Sequence, residues 1–175
     1  MPIVLWRSPA MNTGHKMEYS FTFCSDSEAA TKQLAAAVAA ALTSGSVVGL
    51  VGTLGSGKTR LVQGIAAASG VDVRNVVSPT YVLLHEYPGP IPLFHFDLYR
   101  VADHDEWAEL GVEETFEQEG IVLIEWADRF REWMPEAWLE ITIEVLSQEE
   151  RSFNCIPHGT RYAEVVDAIR SQVSP

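Results

Sequence analysis

Apolar positions recur along this chain with two periods, about two and about 3.6 residues, and the switches between them mark out strands and helices. Met17 to Phe23 alternates apolar and polar and predicts a strand. Ser25-Asp26-Ser27-Glu28 has the Ser-x-x-Glu spacing of a capping box and predicts the start of an alanine-rich helix to about Leu42, with Gly45 as its stop. A strand over 47–52 and a helix over 58–69 follow, closed by Gly70. Tyr81–Tyr87 and Leu93–Tyr99 are two β-rich runs joined by Pro88-Gly89-Pro90-Ile91-Pro92, which predicts an antiparallel hairpin.

The acidic stretch from Asp103 to Phe116, with Trp107, Leu110 and Val112 near helical spacing and Gly111 interrupting, predicts one or two short helices. Gly120-Ile121-Val122-Leu123-Ile124-Glu125 is a continuous apolar run ending in a carboxylate, the look of a buried strand. Trp138–Leu146 and Arg151–Ile156 predict a second hairpin, and Arg161–Val173 a closing helix. The expected fold is α/β: one phosphate-loop domain over residues 17–175, its central mixed sheet carrying antiparallel hairpins and flanked by helices. Residues 1–16, with two prolines and no clear period, read as a loose N-terminal extension.

Between the expected strand and helix lies Gly52-Thr53-Leu54-Gly55-Ser56-Gly57-Lys58-Thr59, a complete G-x-x-x-x-G-K-[ST] phosphate-binding loop. Its glycines let backbone N–H groups turn inward around a phosphate, and the following helix points its positive end at the same anion. Lys58 would reach the β/γ oxygens and the Thr59 hydroxyl would hold Mg²⁺.

Hydrolysis also needs a carboxylate near the metal and a group that places water. Two strand-end acids compete for this. Glu125 closes the apolar run 121–124 and is otherwise an ordinary strand-end carboxylate. Asp97 shares the polar face of its strand with His95 and Tyr99, opposite Phe94, Phe96 and Leu98, and is otherwise a solvated acid. Ser78-Pro79-Thr80 could bring a hydroxyl to the metal or the γ-phosphate, or could start a turn. Arg100 suits an ion pair somewhat better than a transition-state finger. His95 reads as a satisfied polar-face histidine rather than a metal ligand. Trp126 is core if its strand continues past Glu125; if the strand ends there, Trp126 joins the nucleotide contacts, where it is counted together with Arg60.

Composition narrows the partners. The 175 residues include 12 basic and 24 acidic, a net charge of −12, which argues against a large nucleic-acid footprint on this chain; any RNA is expected to be held by a partner. Cys24 and Cys155 are too few for a disulfide framework and suit a reducing cytoplasmic compartment. Ile3-Val4-Leu5-Trp6 is too short for a signal-peptide core, and the apolar stretch Leu34–Leu42 is far short of a membrane span, so neither secretion nor membrane insertion is expected.

The motifs taken in order, namely the phosphate loop, Ser78-Pro79-Thr80-Tyr81, His95-Phe96-Asp97-Leu98-Tyr99-Arg100 and Glu125-Trp126-Ala127-Asp128-Arg129, closely resemble the bacterial TsaE (YjeE) family, from about Glu18 to beyond Glu144. The resemblance implies a small ATPase of tRNA threonylcarbamoyladenosine biosynthesis. It implies ATP and Mg²⁺ as cofactors, with Lys58 and Thr59 on phosphate and metal. Asp97 would be a metal-site acid, Glu125 the second catalytic acid and metal-site group, Thr80 a γ-phosphate-side hydroxyl, and Thr31 a residue near the adenine. The implied partners are a threonylcarbamoyl transferase subunit (TsaD-like) and its companion subunit of the same fold (TsaB-like), whose complex would be reset by slow, partner-stimulated hydrolysis. Two positions depart from the family pattern: Thr53 stands where Asp is common, and Ala35 where Gly is common.

Three rivals stay in view. A phosphate-loop small-molecule kinase would need an arginine-bearing lid, for which Arg129-Phe130-Arg131 is the candidate. A GTPase is disfavoured by the lack of N-K-x-D and D-x-x-G motifs. A nucleotide-gated binding module would never hydrolyse.

Overall fold

The computed structural model of the chain describes residues 19–72 and 76–174. The expected extension over 1–16 and the first residues of the strand expected from Met17 lie outside them. In chain order the elements are β1 (Phe21–Ser25), α1 (Glu28–Ala41), β2 (Ser46–Val51), α2 (Lys58–Ala68), β3 (Leu84–Tyr87), β4 (Leu93–Asp97), α3 (His104–Glu109), α4 (Val112–Phe116), β5 (Ile121–Glu125), a 3₁₀ segment (Ala127–Trp133), β6 (Trp138–Val145), β7 (Arg151–His158) and α5 (Thr160–Val173).

The strands make one seven-stranded sheet in the order β1-β7-β6-β2-β5-β4-β3. The four central strands, β6, β2, β5 and β4, are parallel. Antiparallel β3 closes one edge, and antiparallel β7 and β1 the other. Both expected hairpins are therefore present, and the fold is the mixed α/β sheet flanked by helices that the periodicity predicts.

Period-2 alternation sorts the apolar residues onto two faces. Val48 and Leu50 of β2, Leu93 of β4 and Ile121 and Leu123 of β5 pack with Leu34, Leu61, Ile65 and Val166 of α1, α2 and α5. Val47, Phe94, Phe96, Val122 and Ile124 face the other way, onto Trp107, Phe130 and Trp138. Gly49 is required on this second face, because a Cβ there would lie 2.3 Å from the Trp138 ring. On the first face Ala35 is fully buried, and a Cβ on Gly64 of α2 would come within 2.5 Å of it. The departure at Ala35 is thus absorbed by a glycine on the neighbouring helix. The start of β2 is pinned by Tyr162 of α5, whose hydroxyl accepts from the Val47 N–H at 2.7 Å.

Several boundaries differ from expectation. Ser27, not Ser25, caps α1, accepting from the Ala30 N–H at 3.2 Å. The Ser25 hydroxyl is engaged elsewhere, with the Ser27 carbonyl at 2.8 Å and the Thr31 hydroxyl at 2.7 Å, so the capping-box reading fails. The strand expected from Tyr81 begins only at Leu84, because Val82 and Leu83 turn back onto the Pro79 carbonyl and Leu83 takes a positive φ of 68°. β4 stops at Asp97, whose Oδ1 accepts from the Tyr99 N–H at 3.0 Å and bends the chain out of the sheet. β7 runs on through Pro157, beyond the residues paired with β1, where a missing N–H is tolerated.

Candidate functional site

The carboxyl ends of β2, β4 and β5 and the amino end of α2 converge, which is where open parallel sheets bind ligands. Gly52-Thr53-Leu54-Gly55-Ser56-Gly57 leaves β2 and feeds α2, whose first residue is Lys58. Gly57 takes φ 109°, a conformation L side chains rarely adopt, and a Cβ on Gly52 would lie 2.6 Å from Ser56 Oγ and 2.7 Å from the Ile143 carbonyl. These glycines let the loop close tightly at the foot of α2.

Lys58 is buried, and its Nζ donates to the carbonyls of Gly52 at 2.8 Å and Thr53 at 3.0 Å. It also lies 3.6 Å from the centroid of the Trp126 ring. Burial pushes the Lys58 ammonium below its ordinary pKa, while the charges of Glu125, Asp97 and Asp128 act in the opposite direction. Thr53 contributes through its backbone; its side chain is exposed.

The two acids that compete in the sequence are neighbours. Parallel pairing of β4 with β5 sets Asp97 opposite Glu125 on one sheet face. Glu125 Oε1 accepts from the Thr59 hydroxyl at 2.8 Å and lies 2.9 Å from His95 Nε2. Asp97 Oδ2 accepts from Ser78 at 3.0 Å and from Thr80. Lys58, Thr59, Arg60, Ser78, Thr80, Asp97, Glu125 and Trp126 all line one cleft of about 330 Å³, together with Leu54, Gly55, Gly57 and Tyr99.

Trp126 enters this cleft because β5 ends at Glu125 and Trp126 turns with φ 65°, its ring packed at a tilt of 44° against that of Tyr99 with centroids 4.9 Å apart. Thr31 lies apart from the acids, on the wall of a second groove of about 1300 Å³. That groove shares Gly55, Gly57 and Arg60 with the cleft and also takes in Ser56. Apart from Gly52 and Thr53, which line neither, the candidate residues therefore fall into an acid-lined cleft and an adjoining groove that share part of the phosphate loop. Arg60 is exposed, 3.8 Å from Glu28.

Other candidates are occupied differently. Among the described residues Arg100 is in no ion pair; its guanidinium lies 5.7 Å from the Tyr81 ring centroid, within cation–π range, so the ion-pair expectation is corrected. Arg129 is spent on the Leu98 and Tyr99 carbonyls, and Arg131 on Glu140. His95, expected as a satisfied polar-face histidine, is fully buried behind Glu125 and is satisfied at Nε2 by that carboxylate. Its contact with Glu125 was missed in the sequence; the available signal was a histidine two positions before Asp97 on the same strand face. Ser78 joins Thr80 on Asp97, a role that the turn-forming Ser78-Pro79-Thr80 tripeptide does not by itself assign to Ser78. No group of three or more His, Cys, Asp or Glu among the described residues is arranged to hold a metal unaided.

Comparison with known proteins bears on what this site serves. The family model described as "Threonylcarbamoyl adenosine biosynthesis protein TsaE" matches residues 25–153. A Bacillus subtilis protein is 39% identical over 75% of this chain and 82% of its own length. A Nostoc protein is 34% identical over 82% and 90%, and a Rickettsia felis protein 32% identical over 86% of each chain. All three are named tRNA threonylcarbamoyladenosine biosynthesis protein TsaE. The crystal structure of YdiB from Bacillus subtilis superposes with a TM-score of 0.76 and 29% identity, over 89% of this chain and 97% of that one. With the family's span running from the end of β1 into β7, and relatives alike over most of their length, this chain belongs to the TsaE family and serves the biosynthesis of tRNA threonylcarbamoyladenosine.

Proposed function

We propose that residues 17–175 act as one ATPase domain that binds ATP with Mg²⁺, hydrolyses it slowly alone, and turns over when docked on its partners. The observation that carries this reading is the Thr59 hydroxyl on Glu125 beside Asp97, at the foot of a complete phosphate loop. The donor set is all oxygen, which suits magnesium, and magnesium in nucleotide sites takes few protein ligands because phosphates and water complete its shell. Thr59 would hold the metal directly. Asp97, whose two oxygens already accept from Ser78, Thr80 and the Tyr99 N–H, would meet it through water. Bound magnesium would neutralise charge on the β- and γ-phosphates.

The chain's own groups have separable tasks. The N–H groups of Gly52 to Thr59 and the amino end of α2 bind phosphate. Lys58 would exchange the Gly52 and Thr53 carbonyls for phosphate oxygens, its charge favoured by Glu125 and Asp97. Glu125 orients the attacking water and accepts its proton. Thr80 would leave Asp97 for the γ-phosphate side, and Thr31 with the adjoining groove takes the adenine.

Slow intrinsic turnover is supported by the arginines: Arg129 and Arg131 are committed to structural contacts, which also weakens the kinase reading. A partner that completes the site is supported by exposed apolar residues at the cleft: Leu54, 78% exposed, and Tyr99 line it, and Tyr81, 87% exposed, and Val82 follow its wall residue Thr80 in the chain. We assign that partner as the transferase subunit with its companion, holding the tRNA, in the cytoplasm. No described helix is long and apolar enough to cross a membrane.

The test is Mg²⁺-dependent ATP turnover by the chain alone, then with the transferase pair and tRNA, using Lys58→Ala as control. Low turnover that rises by orders of magnitude with partners and vanishes in the variant is the expected result. Tight ATP binding with no rise would sink the ATPase reading.

A further inference from the structure

His95 is wholly buried on β4, paired laterally with His85 of β3 and Leu123 of β5, yet its Nε2 meets a carboxylate rather than a backbone group. An ionised carboxylate only accepts, so Nε2 carries the proton and donates to Glu125 Oε1. The same oxygen accepts from Thr59. Two donors on one oxygen leave Oε2 without a hydrogen-bond partner among the described residues, while Glu125 as a whole borders the cleft. Because the Thr59 proton is spent on Oε1, the hydroxyl lone pairs are free for a cation.

The far side of the imidazole is braced too. Tyr87 packs 6.3 Å from it between ring centroids and donates its hydroxyl to the Val77 carbonyl at 3.2 Å, one residue before Ser78. His95 Nδ1 is buried and has no hydrogen-bond partner among the described residues, so the hydrogen bond that orients the ring there is the one to Glu125.

We propose that His95 is a positioning residue for the nucleotide–metal site: by holding Glu125 Oε1 it aims Oε2 at the cleft and turns the Thr59 lone pairs toward the metal. This rests on the ATPase reading above and deepens it. His95 is fully buried and lines neither the cleft nor the groove, so it acts through Glu125, as outer partners of metal-site groups do.

The test compares His95→Leu, which keeps bulk and removes the donor, with His95→Gln, whose amide can donate near the same point. Manganese affinity is measured by electron paramagnetic resonance with a non-hydrolysable ATP analogue, alongside kcat and KM of the partner-stimulated reaction. We expect His95→Leu to weaken manganese binding about 10-fold and to lower kcat about 10- to 100-fold, with KM for ATP changed by less than about 3-fold. His95→Gln should recover most of both losses. Wild-type manganese affinity in His95→Leu, or a His95→Gln variant no better than it, overturns the proposal by reducing His95 to core filling. If the wild-type chain shows no turnover with its partners, the ATPase reading fails, while the manganese titration of the three proteins still decides the role of His95.

Discussion

Glu125 and Glu140 are buried strand carboxylates that each meet a histidine nitrogen, at 2.9 Å from His95 and 3.0 Å from His158. Their second oxygens set them apart. Glu140 is closed on both sides: Oε2 meets His158, and Oε1 accepts from Arg131 and, at 3.3 Å, from Thr142. His158 is itself stacked on Trp138, with ring centroids 4.2 Å apart. Among the described residues Glu125 takes both its donors on one oxygen and has no arginine partner, and it borders the cleft with no hydrogen bond on the other oxygen. A carboxylate with both oxygens answered holds a fold together; one with an oxygen left open beside a phosphate loop is arranged for something that arrives.

The sharpest way to break this contrast is to neutralise each acid in turn. Glu125→Gln should lower partner-stimulated ATP turnover on the order of 10²-fold or more, with nucleotide affinity largely kept and the melting temperature little changed. If turnover survives, Glu125 is not the group that handles the water and the contrast loses its functional half.

Glu140→Gln should do the reverse, leaving turnover within about 3-fold of wild type and removing about 2 kcal/mol of stability, which for a domain of this size shifts the midpoint of a thermal melt by about 4–8 °C. The pH dependence sharpens this. Burial, the largest single influence on Glu140, works to raise its carboxyl, but the His158 hydrogen bond and the Arg131 charge, helped by a smaller pull from His158 charge and Thr142, together hold it below the ordinary value of 4.5. A depressed folded-state pKa means the contribution is fully present above the unfolded value and is lost as pH falls through the folded one. The gap between wild-type and Glu140→Gln melts should therefore hold steady from about pH 7 to about pH 5 and close below that; a gap that widens toward acid would show that folding raises the Glu140 carboxyl rather than lowering it.

The two acids were not equally legible in the sequence. Glu125 announces itself by ending an apolar run downstream of the phosphate loop, and Asp97 by standing on the polar side of an apolar strand. Both signals are local, as is the loop itself, whose spacing alone marks the turn between β2 and α2. What stayed hidden depends on which strand lies beside which. The Asp97–Glu125 juxtaposition exists because β4 neighbours β5 in parallel register, and no spacing along the chain states that. His95 looked like an ordinary polar-face residue because its partner lies thirty residues away. The Glu140 network joins the 3₁₀ segment, β6 and β7, and was not read at all. Local chemistry misled once: two serines separated by one residue both suit a helix cap, and the tertiary contact between Ser25 and Thr31 decides in favour of Ser27.

The smallest expected effect asks how much of Glu140's closure depends on its arginine. The Arg131 side chain is 55% exposed, so water screens its charge and its net contribution is modest even though its partner is buried. Arg131→Met keeps the aliphatic stem of the side chain and removes the guanidinium. The remaining donors, His158 and Thr142, still answer both oxygens. The loss should therefore stay below about 1 kcal/mol, a melting shift of about 4 °C at most, with turnover unchanged. A loss as large as that of Glu140→Gln would mean that the arginine alone neutralises the buried charge. The closed carboxylate would then be an ion pair with bystanders, and what separates it from Glu125 would be the presence of a cation rather than the number of oxygens answered.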